Sequence, residues 1–293
     1  MVDKPSQIVL KFWGTRGSTP SPGPDTIKYG GNTSCIEIVH GDNRRLVFDA
    51  GSGIRLLGEK LVQNGSVPVK LDLFLSHFHW DHIQGLPFFL PFYLPDNHIN
   101  IWGAESVGTS LEQIFDHQMH STFFPVSRSA LKADIHFHQL DGKPVEVDRA
   151  RISMCKMRHP GYVLAFRIEV DDKVIVFATD REPEAESIDP YERSLDGIIE
   201  LSRDADILIH DAQYTDEEYP SKIGWGHSPF SEAIRVASES NAKHLVLFHH
   251  DPTRTDRMID DFEEKLQYKL ADNHNLKLSF AREGKSIILN GLK

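Results

Sequence analysis

The sequence predicts an α/β (α+β) protein in which sheet packs on sheet and helices cover the outside. Three observations predict it. The first half is dense in short apolar runs separated by Gly, Pro, Asn and Asp clusters, the pattern of strands and tight turns. From Asp189 onward the pattern changes to helix–strand alternation. Several apolar runs end abruptly at a histidine or an aspartate, as if a sheet projected side chains from one rim. Two halves, each strand-rich and then helical, imply layers closed around one core. No low-complexity segment, linker or short-period repeat interrupts the chain, so residues 1–293 are expected to form one domain.

The elements follow in order. Ile8–Trp13 reads as a first strand that breaks into Gly14-Thr15-Arg16-Gly17-Ser18-Thr19-Pro20. Ser34–Val39 and Arg45–Phe48 read as a hairpin around Gly41-Asp42-Asn43. Asp49-Ala50-Gly51-Ser52-Gly53 opens a helix to about Gln63, with Asp49 either a capping acid or a partner that orients a histidine. Leu71–Leu75 is the next strand. Pro87 and Pro91 forbid a regular helix through Pro87–Tyr93, an aromatic stretch that reads as core, or else as a pocket edge. His98–Trp102 is expected as a strand and Ser106–His117 as a helix. His117 and His120 follow in a stretch without clear period, as surface residues or as substrate contacts. Strands are expected at Ile135–His138, Val145–Val147, Ile152–Met157, Val163–Val170 and Val174–Ala178. Tyr191–Ser202, Pro229–Ser240 and Thr255–Ala271 read as helices between strands at Asp206–His210, Lys243–Phe248 and Leu276–Phe280, with Ser286–Leu289 last. Ser228 is placed to cap the helix that begins at Pro229.

Composition narrows the function. A hydrophobic content of 40% is enough for a full core. The formal charge of −11 argues against a broad nucleic-acid groove, which needs clustered Lys and Arg. Cys35 and Cys155 lie far apart in strand-like contexts and read as small core residues rather than a disulfide or a thiolate metal site. Met1-Val2-Asp3-Lys4-Pro5 has no basic start and no apolar run behind it, and no stretch approaches membrane-span length. A soluble, cytoplasmic protein is the expectation.

The chemistry is concentrated in Ser76-His77-Phe78-His79-Trp80-Asp81-His82, directly after an apolar strand. In extended chain alternate residues share a face, so His77 and His79 point the same way, and Asp81 and His82 follow as the chain turns. Such a group suits a metal, and a two-metal site needs further donors from other strand ends. His159 follows the strand ending at Met157, Asp180 ends the run Val174–Thr179, and His249 ends Leu245–Phe248.

The ordered set His77-His79-Asp81-His82, His159, Asp180, His249 resembles the metallo-β-lactamase superfamily, whose fold is a four-layer αββα sandwich with metals at one edge. The resemblance runs from about Val9 to Leu289. It implies His77, His79 and His159 on one metal, Asp81, His82 and His249 on the other, and Asp180 as the bridge. Phe12–Pro20 is similar to the opening glycine motif of the ribonuclease Z-like branch, and Gly226-His227-Ser228 to that branch's catalytic histidine. The chain departs from ribonuclease Z in two places. It has no basic, glycine-rich insertion between Asp180 and His227 to grip tRNA, and His210-Asp211-Ala212-Gln213 stands where the family has His-Glu-Ala-Thr. Asp211 is then the expected partner of His227, one methylene shorter than the family's glutamate.

What the resemblance implies is metal-assisted hydrolysis of a small phosphodiester, a cyclic nucleotide or cyclic phosphate above all. Two divalent cations, Zn²⁺ first and Mn²⁺ or Fe next, lower the pKa of a shared water to about 7. Asp81 would orient the resulting hydroxide, and His227, held by Asp211, would act as general acid. Lys222 and Arg158 flank these residues and read as surface charges or phosphate contacts. A carbonyl substrate (lactone, thioester or β-lactam) and a non-catalytic metal or nucleotide sensor are the competing readings. Large RNA and membrane are not expected as partners, while a homodimer is compatible with the family.

Overall fold

The computed structural model describes residues 7–41, 43–104, 108–161, 163–183, 195–270 and 276–290. The first sheet is built from β1 (Gln7–Gly14), β2 (Cys35–His40), β3 (Arg44–Phe48), β4 (Lys70–Phe74), β5 (His98–Gly103), β6 (Asp134–Gln139) and β14 (Ser286–Asn290), in the order β14-β1-β2-β3-β4-β5-β6. The second is built from β7 (Val145–Val147), β8 (Ala150–Met157), β9 (Val163–Val170), β10 (Lys173–Ala178), β11 (Ile207–Asp211), β12 (His244–Phe248) and β13 (Lys277–Phe280), in the order β13-β12-β11-β10-β9-β8-β7. Each chain half thus supplies most of one sheet, and β14 returns to the first by pairing antiparallel with β1.

Alternation of side chains explains the layering. In β3, Leu46 and Phe48 face the second sheet while Val47 packs with α1 (Gly53–Gln63). In β10, Ile175 and Phe177 enter the inter-sheet core while Val176 and Ala178 turn to the outer helices, and β12 repeats this with Val246 and Phe248 against Leu245 and Leu247. Strands buried on both faces read as continuous apolar runs, which is how these two read. Phe48 lies 5.4 Å from Phe166 and 6.1 Å from Phe177, ring centre to ring centre, so aromatic contacts bridge the sheets. Outside the first sheet lie α1 and α3 (Leu111–Gln118). Outside the second lie α4 (Leu195–Leu201), α5 (Phe230–Glu239) and α6 (Asp256–Lys269). The result is the expected αββα sandwich.

Strand direction decides where the chemistry can collect. β10, β11 and β12 are mutually parallel, so their carboxyl ends share one edge. β8 reaches that edge after two antiparallel steps through β9. In the first sheet β3, β4, β5 and β6 run parallel. The two edges are tied together by Leu164 N donating to Ser76 O at 2.9 Å, and by Gly17 N to His250 O at 3.0 Å and His250 N to Thr15 O at 3.0 Å.

Several local expectations need correction. β4 stops at Phe74, so His77 and His79 sit in an extended loop beyond the strand, and Asp81 and His82 on the single turn α2 (Trp80–Ile83). α3 begins at Leu111, later than expected, because Ser110 and Gln113 form a capping box there. Residues 106–107, 191–194 and 271, which the expected helices included, lie outside the described residues. Ser228 does not cap α5: its hydroxyl donates to Arg181 O instead. Pro87–Tyr93 forms two short 3₁₀ turns that bury Phe89 and Phe92 against α1, the core reading, and leave Phe88 and Leu90 exposed. Cys35 and Cys155 are buried thiols in different sheets. No helix among the described residues is long and apolar enough to cross a membrane.

Candidate metal centre

All seven sequence-predicted metal residues converge at the shared edge. His77, His79, His159 and Asp180 form one group of mutually close donor atoms, and Asp81, His82, Asp180 and His249 a second. Asp180 belongs to both. Its Oδ2 lies 3.5 Å from His77 Nε2 and 3.8 Å from His159 Nε2. Its Oδ1 lies 3.2 Å from His82 Nε2 and 3.1 Å from His249 Nε2. Asp81 Oδ2 stands 3.2 Å from His82 Nε2 and 3.1 Å from His249 Nε2.

What orients the imidazoles is a shell of hydrogen bonds on their outer nitrogens. His82 Nδ1–H donates to Asp49 Oδ2 at 2.6 Å, His249 Nδ1–H to Gln213 Oε1 at 3.0 Å, and His159 Nδ1–H to Gly226 O at 2.9 Å. His77 Nδ1 meets Ser76 Oγ at 3.0 Å, and that hydroxyl reaches Asp49 Oδ2 at 3.1 Å. With the outer nitrogen protonated, the inner Nε2 is the atom left to carry a lone pair, or on His82 the proton that a metal cation would replace. His77 Nε2 is buried with no hydrogen-bond partner among the described residues, and His79 Nδ1 and His159 Nε2 approach to 2.9 Å. Buried polar atoms rarely go unpaired, so inward lone pairs crowded on two carboxylates fit a pair of cations.

The electrostatics agree. Burial holds the imidazoles of His77 well below the usual histidine range and of His159 down to about 4, so both stay neutral donors. Burial works against ionised Asp180, but His249, His82 and His77 around it keep its carboxyl well below the carboxylate range. Asp81 is likewise held low against its burial by His82 and His249. Burial opposes a charge on His82, yet Asp180, Asp81 and Asp49 overcome it and push that ring well above the usual range. A field that protonates a buried histidine this strongly is a field that attracts metal cations.

His227 stands beside the second group. Its Nδ1–H donates to Asp211 Oδ2 at 2.7 Å, so the acid reaches the ring although it is one methylene shorter than a glutamate. Asp211 Oδ1 in turn accepts Ser228 N at 3.0 Å and Gln213 N at 3.2 Å, which fixes the carboxylate. The His227 ring stacks on His249 with centres 4.9 Å apart. Burial works against a charge on His227, but Asp211's charge and hydrogen bond, with Asp180 and Asp81 behind them, push it up to about 9.

The opening glycine motif lies under this cluster. Ser18 N donates to Asp81 Oδ2 at 2.7 Å, and a Cβ on Gly17 would come within 2.4 Å of His249 Nδ1. Arg16, fully buried, holds the loop through Gly30 O, Asp251 O and Arg254 O at 2.7, 3.1 and 2.8 Å. Asp49 takes the orienting rather than the capping role. It also accepts Ser34 Oγ at 2.9 Å and Ser76 N at 2.9 Å. His117 and His120 are exposed and belong to none of these groups. Arg158 donates to Pro183 O, and Lys222 lies over the Trp225 ring.

Sequence reasoning missed Ser76, Gln213 and Glu182. The first two sit inside motifs read for other residues. Glu182, buried two positions after Asp180, accepts Gly224 N and Gly226 N with its two oxygens and so fixes the loop that carries His227. Its signal was only an acid close to another acid.

A beta-lactamase superfamily domain matches residues 44–250. A Ribonuclease Z from Streptococcus equi subsp. equi is 23% identical over 287 residues, covering 82% of this chain and 88% of that protein. The metallo-beta-lactamase fold protein YhfI from Bacillus subtilis superposes with a TM-score of 0.68 at 20% identity, covering 97% of this chain and 100% of YhfI. A diphosphatase from the PhnP family gives 0.67 at 17% identity, covering 98% and 99%. Sandwich topology, an edge that gathers seven metal-competent side chains and a match across most of the chain lead to one conclusion: the protein belongs to the beta-lactamase superfamily and is a metal-dependent hydrolase.

Proposed function

We propose that the protein hydrolyses small phosphodiesters, a cyclic nucleotide or similar cyclic phosphate first among them. The observation that carries this reading is His227, a buried imidazole charged by Asp211 at 2.7 Å and stacked on His249 at the edge of the cluster. A fixed proton donor at that point suits a leaving alkoxide.

His77, His79, His159 and Asp180 would hold one divalent cation, and Asp81, His82, His249 and Asp180 a second. Zn²⁺ suits this nitrogen and oxygen set best, with Mn²⁺ or Fe next. When bound, such a pair supplies a nucleophile at neutral pH and neutralises phosphate oxygens. The remaining work falls to the chain. Asp81, held by Ser18 N, orients the attacking oxygen for in-line approach. As the phosphorus–oxygen bond to the leaving group breaks, His227 Nε2 gives its proton to the departing oxygen. Asp211 keeps Nδ1 protonated, so the imidazole stays in the tautomer that can donate again once Nε2 is reprotonated. The cytoplasm is the compartment proposed, and the Ribonuclease Z relatives make an RNA oligonucleotide the second substrate to try.

The test is turnover of bis-p-nitrophenyl phosphate, of 3′,5′- and 2′,3′-cyclic nucleotides and of a short RNA by protein loaded with Zn²⁺, Mn²⁺ or Fe²⁺. Hydrolysis of a cyclic nucleotide supports the reading. Cleavage of lactones or thioesters with no phosphodiester turned over sinks it.

A further inference from the structure

The loop from Tyr214 to Gly226 is held at both ends. Near its start Thr215 N donates to Glu218 Oε2 at 2.9 Å, and Glu218 pairs with Arg254, whose Nη1 lies 2.9 Å from Glu218 Oε1. At its end Glu182 takes both Gly224 N and Gly226 N. Between these anchors the loop presents an indole to solvent: Trp225 is 60% exposed. Exposing so large an apolar ring is unfavourable, since aromatic surface is stabilised by leaving water. Here the ring is exposed on a fixed loop beside a reactive centre.

A chain of contacts joins that ring to the site. Lys222 Nζ sits 4.1 Å from the centre of the Trp225 ring and 5.8 Å from that of Tyr214. The Tyr214 ring lies 6.0 Å from that of His227, which stacks on His249. Lys222 has no carboxylate partner among the described residues, although the chain carries a formal charge of −11. An ammonium on one side of the indole leaves the exposed remainder of the ring for a second flat partner. Trp225 also adjoins Gly226, whose carbonyl orients His159, so one loop carries both the indole and a contact to the cluster.

We infer that Trp225 and Lys222 form the recognition element of this site: the indole stacks on an aromatic base attached to the phosphodiester, and the ammonium faces its phosphate. The inference rests on the phosphodiester reading and adds to it the residues that select a diester carrying a base over a cyclic phosphate without one.

The test compares two substrates of the full-length, metal-loaded protein: adenosine 3′,5′-cyclic phosphate and the O-methyl riboside 3′,5′-cyclic phosphate, the same diester without the base. Trp225→Ala is expected to lower the ratio of kcat/KM for the first over the second about tenfold, through KM, as loss of one stacked base does. Trp225→Phe restores most of that ratio. Lys222→Gln raises KM severalfold for both substrates alike. Independently of turnover, adenosine 5′-monophosphate quenches tryptophan fluorescence in the parent protein and loses most of that quenching in Trp225→Phe. An unchanged ratio in Trp225→Ala overturns the inference and leaves the phosphodiester reading standing. So does a fall in the ratio caused by Trp80→Ala in its place, Trp80 being the other exposed indole beside the cluster. A parent protein that hydrolyses neither diester removes the reading beneath it and the inference together.

Discussion

His227 and Asp211 show how a pair of side chains sets chemistry that neither could set alone. A buried imidazole by itself loses its proton, as His159 does; Asp211 at 2.7 Å reverses that for His227. His227→Ala is expected to lower kcat by about 10²-fold or more, the usual cost of losing a general acid, while elemental analysis still finds two metals per chain. Normal turnover with both metals present refutes the acid role. Asp211→Asn keeps the shape and removes the charge. Because the acid must be protonated, activity falls as pH rises through the His227 pKa, placed at about 9 by its carboxylates. Bound cations cancel part of what Asp180 and Asp81 contribute, but not the direct bond to Asp211. In Asp211→Asn the alkaline limb of the kcat profile is therefore expected about 1–3 pH units lower. A limb that stays in place assigns it to another group.

At the scale of elements, the strand ends supply donors and the loops aim them. Gly226 is the clearest instance. It sits at φ +88°, and a Cβ there would come within 2.3 Å of His159 Nδ1 and 2.6 Å of Pro160 Cδ. Backbone strain and the clash act in the same direction, against the carbonyl that accepts from His159. Gly226→Ala is expected to weaken metal binding about 10–100-fold, as loss of an orienting contact does, with the secondary structure intact by circular dichroism. Competition with a chromophoric chelator measures it, and an unchanged affinity shows that His159 needs no such support. The helix turn α2 acts similarly on a smaller scale. It follows an extended His79, so the four metal-competent residues of one short segment reach both metal groups.

For the molecule as a whole, the two sheets are joined where charge is most concentrated. Asp49, Asp81, Asp180 and Asp211 are all buried at this edge, and buried carboxylates repel unless cations or protonated imidazoles offset them. Metal bound only by the folded state adds stability by mass action, about 3–4 kcal/mol at 100 to 1,000 times Kd. Chelation is therefore expected to lower Tm by roughly 5–10 °C, and added Zn²⁺ or Mn²⁺ to restore it. A Tm indifferent to chelator, in protein shown to have lost its metal, means that the sheets hold the carboxylates together unaided.

Much of this was legible in the chain. Apolar runs that end in Asp180 and His249 showed which residues leave the sheet at its rim, because a strand buried on both faces must be apolar until it leaves the sheet, while His159 follows the alternating strand β8. The layers followed from the same runs. What the runs did not carry was anything depending on a second stretch far away. Asp49 had two equal readings until His82, 33 positions on, came within 2.6 Å. Ser228 had the form of a helix cap, yet its hydroxyl was claimed by Arg181 O from another strand end. The Asp211–His227 distance depended on how the loop between them closes, with Ser228 N bound to Asp211 and Glu182 holding Gly224 and Gly226. The sequence by itself determined the donors and the strands that deliver them, since burial and periodicity are local. Only the tertiary structure decided which nitrogen of each ring faces inward, how closely Asp211 meets His227 and that Trp225 is left exposed, since each depends on a hydrogen bond or contact between residues distant in the chain.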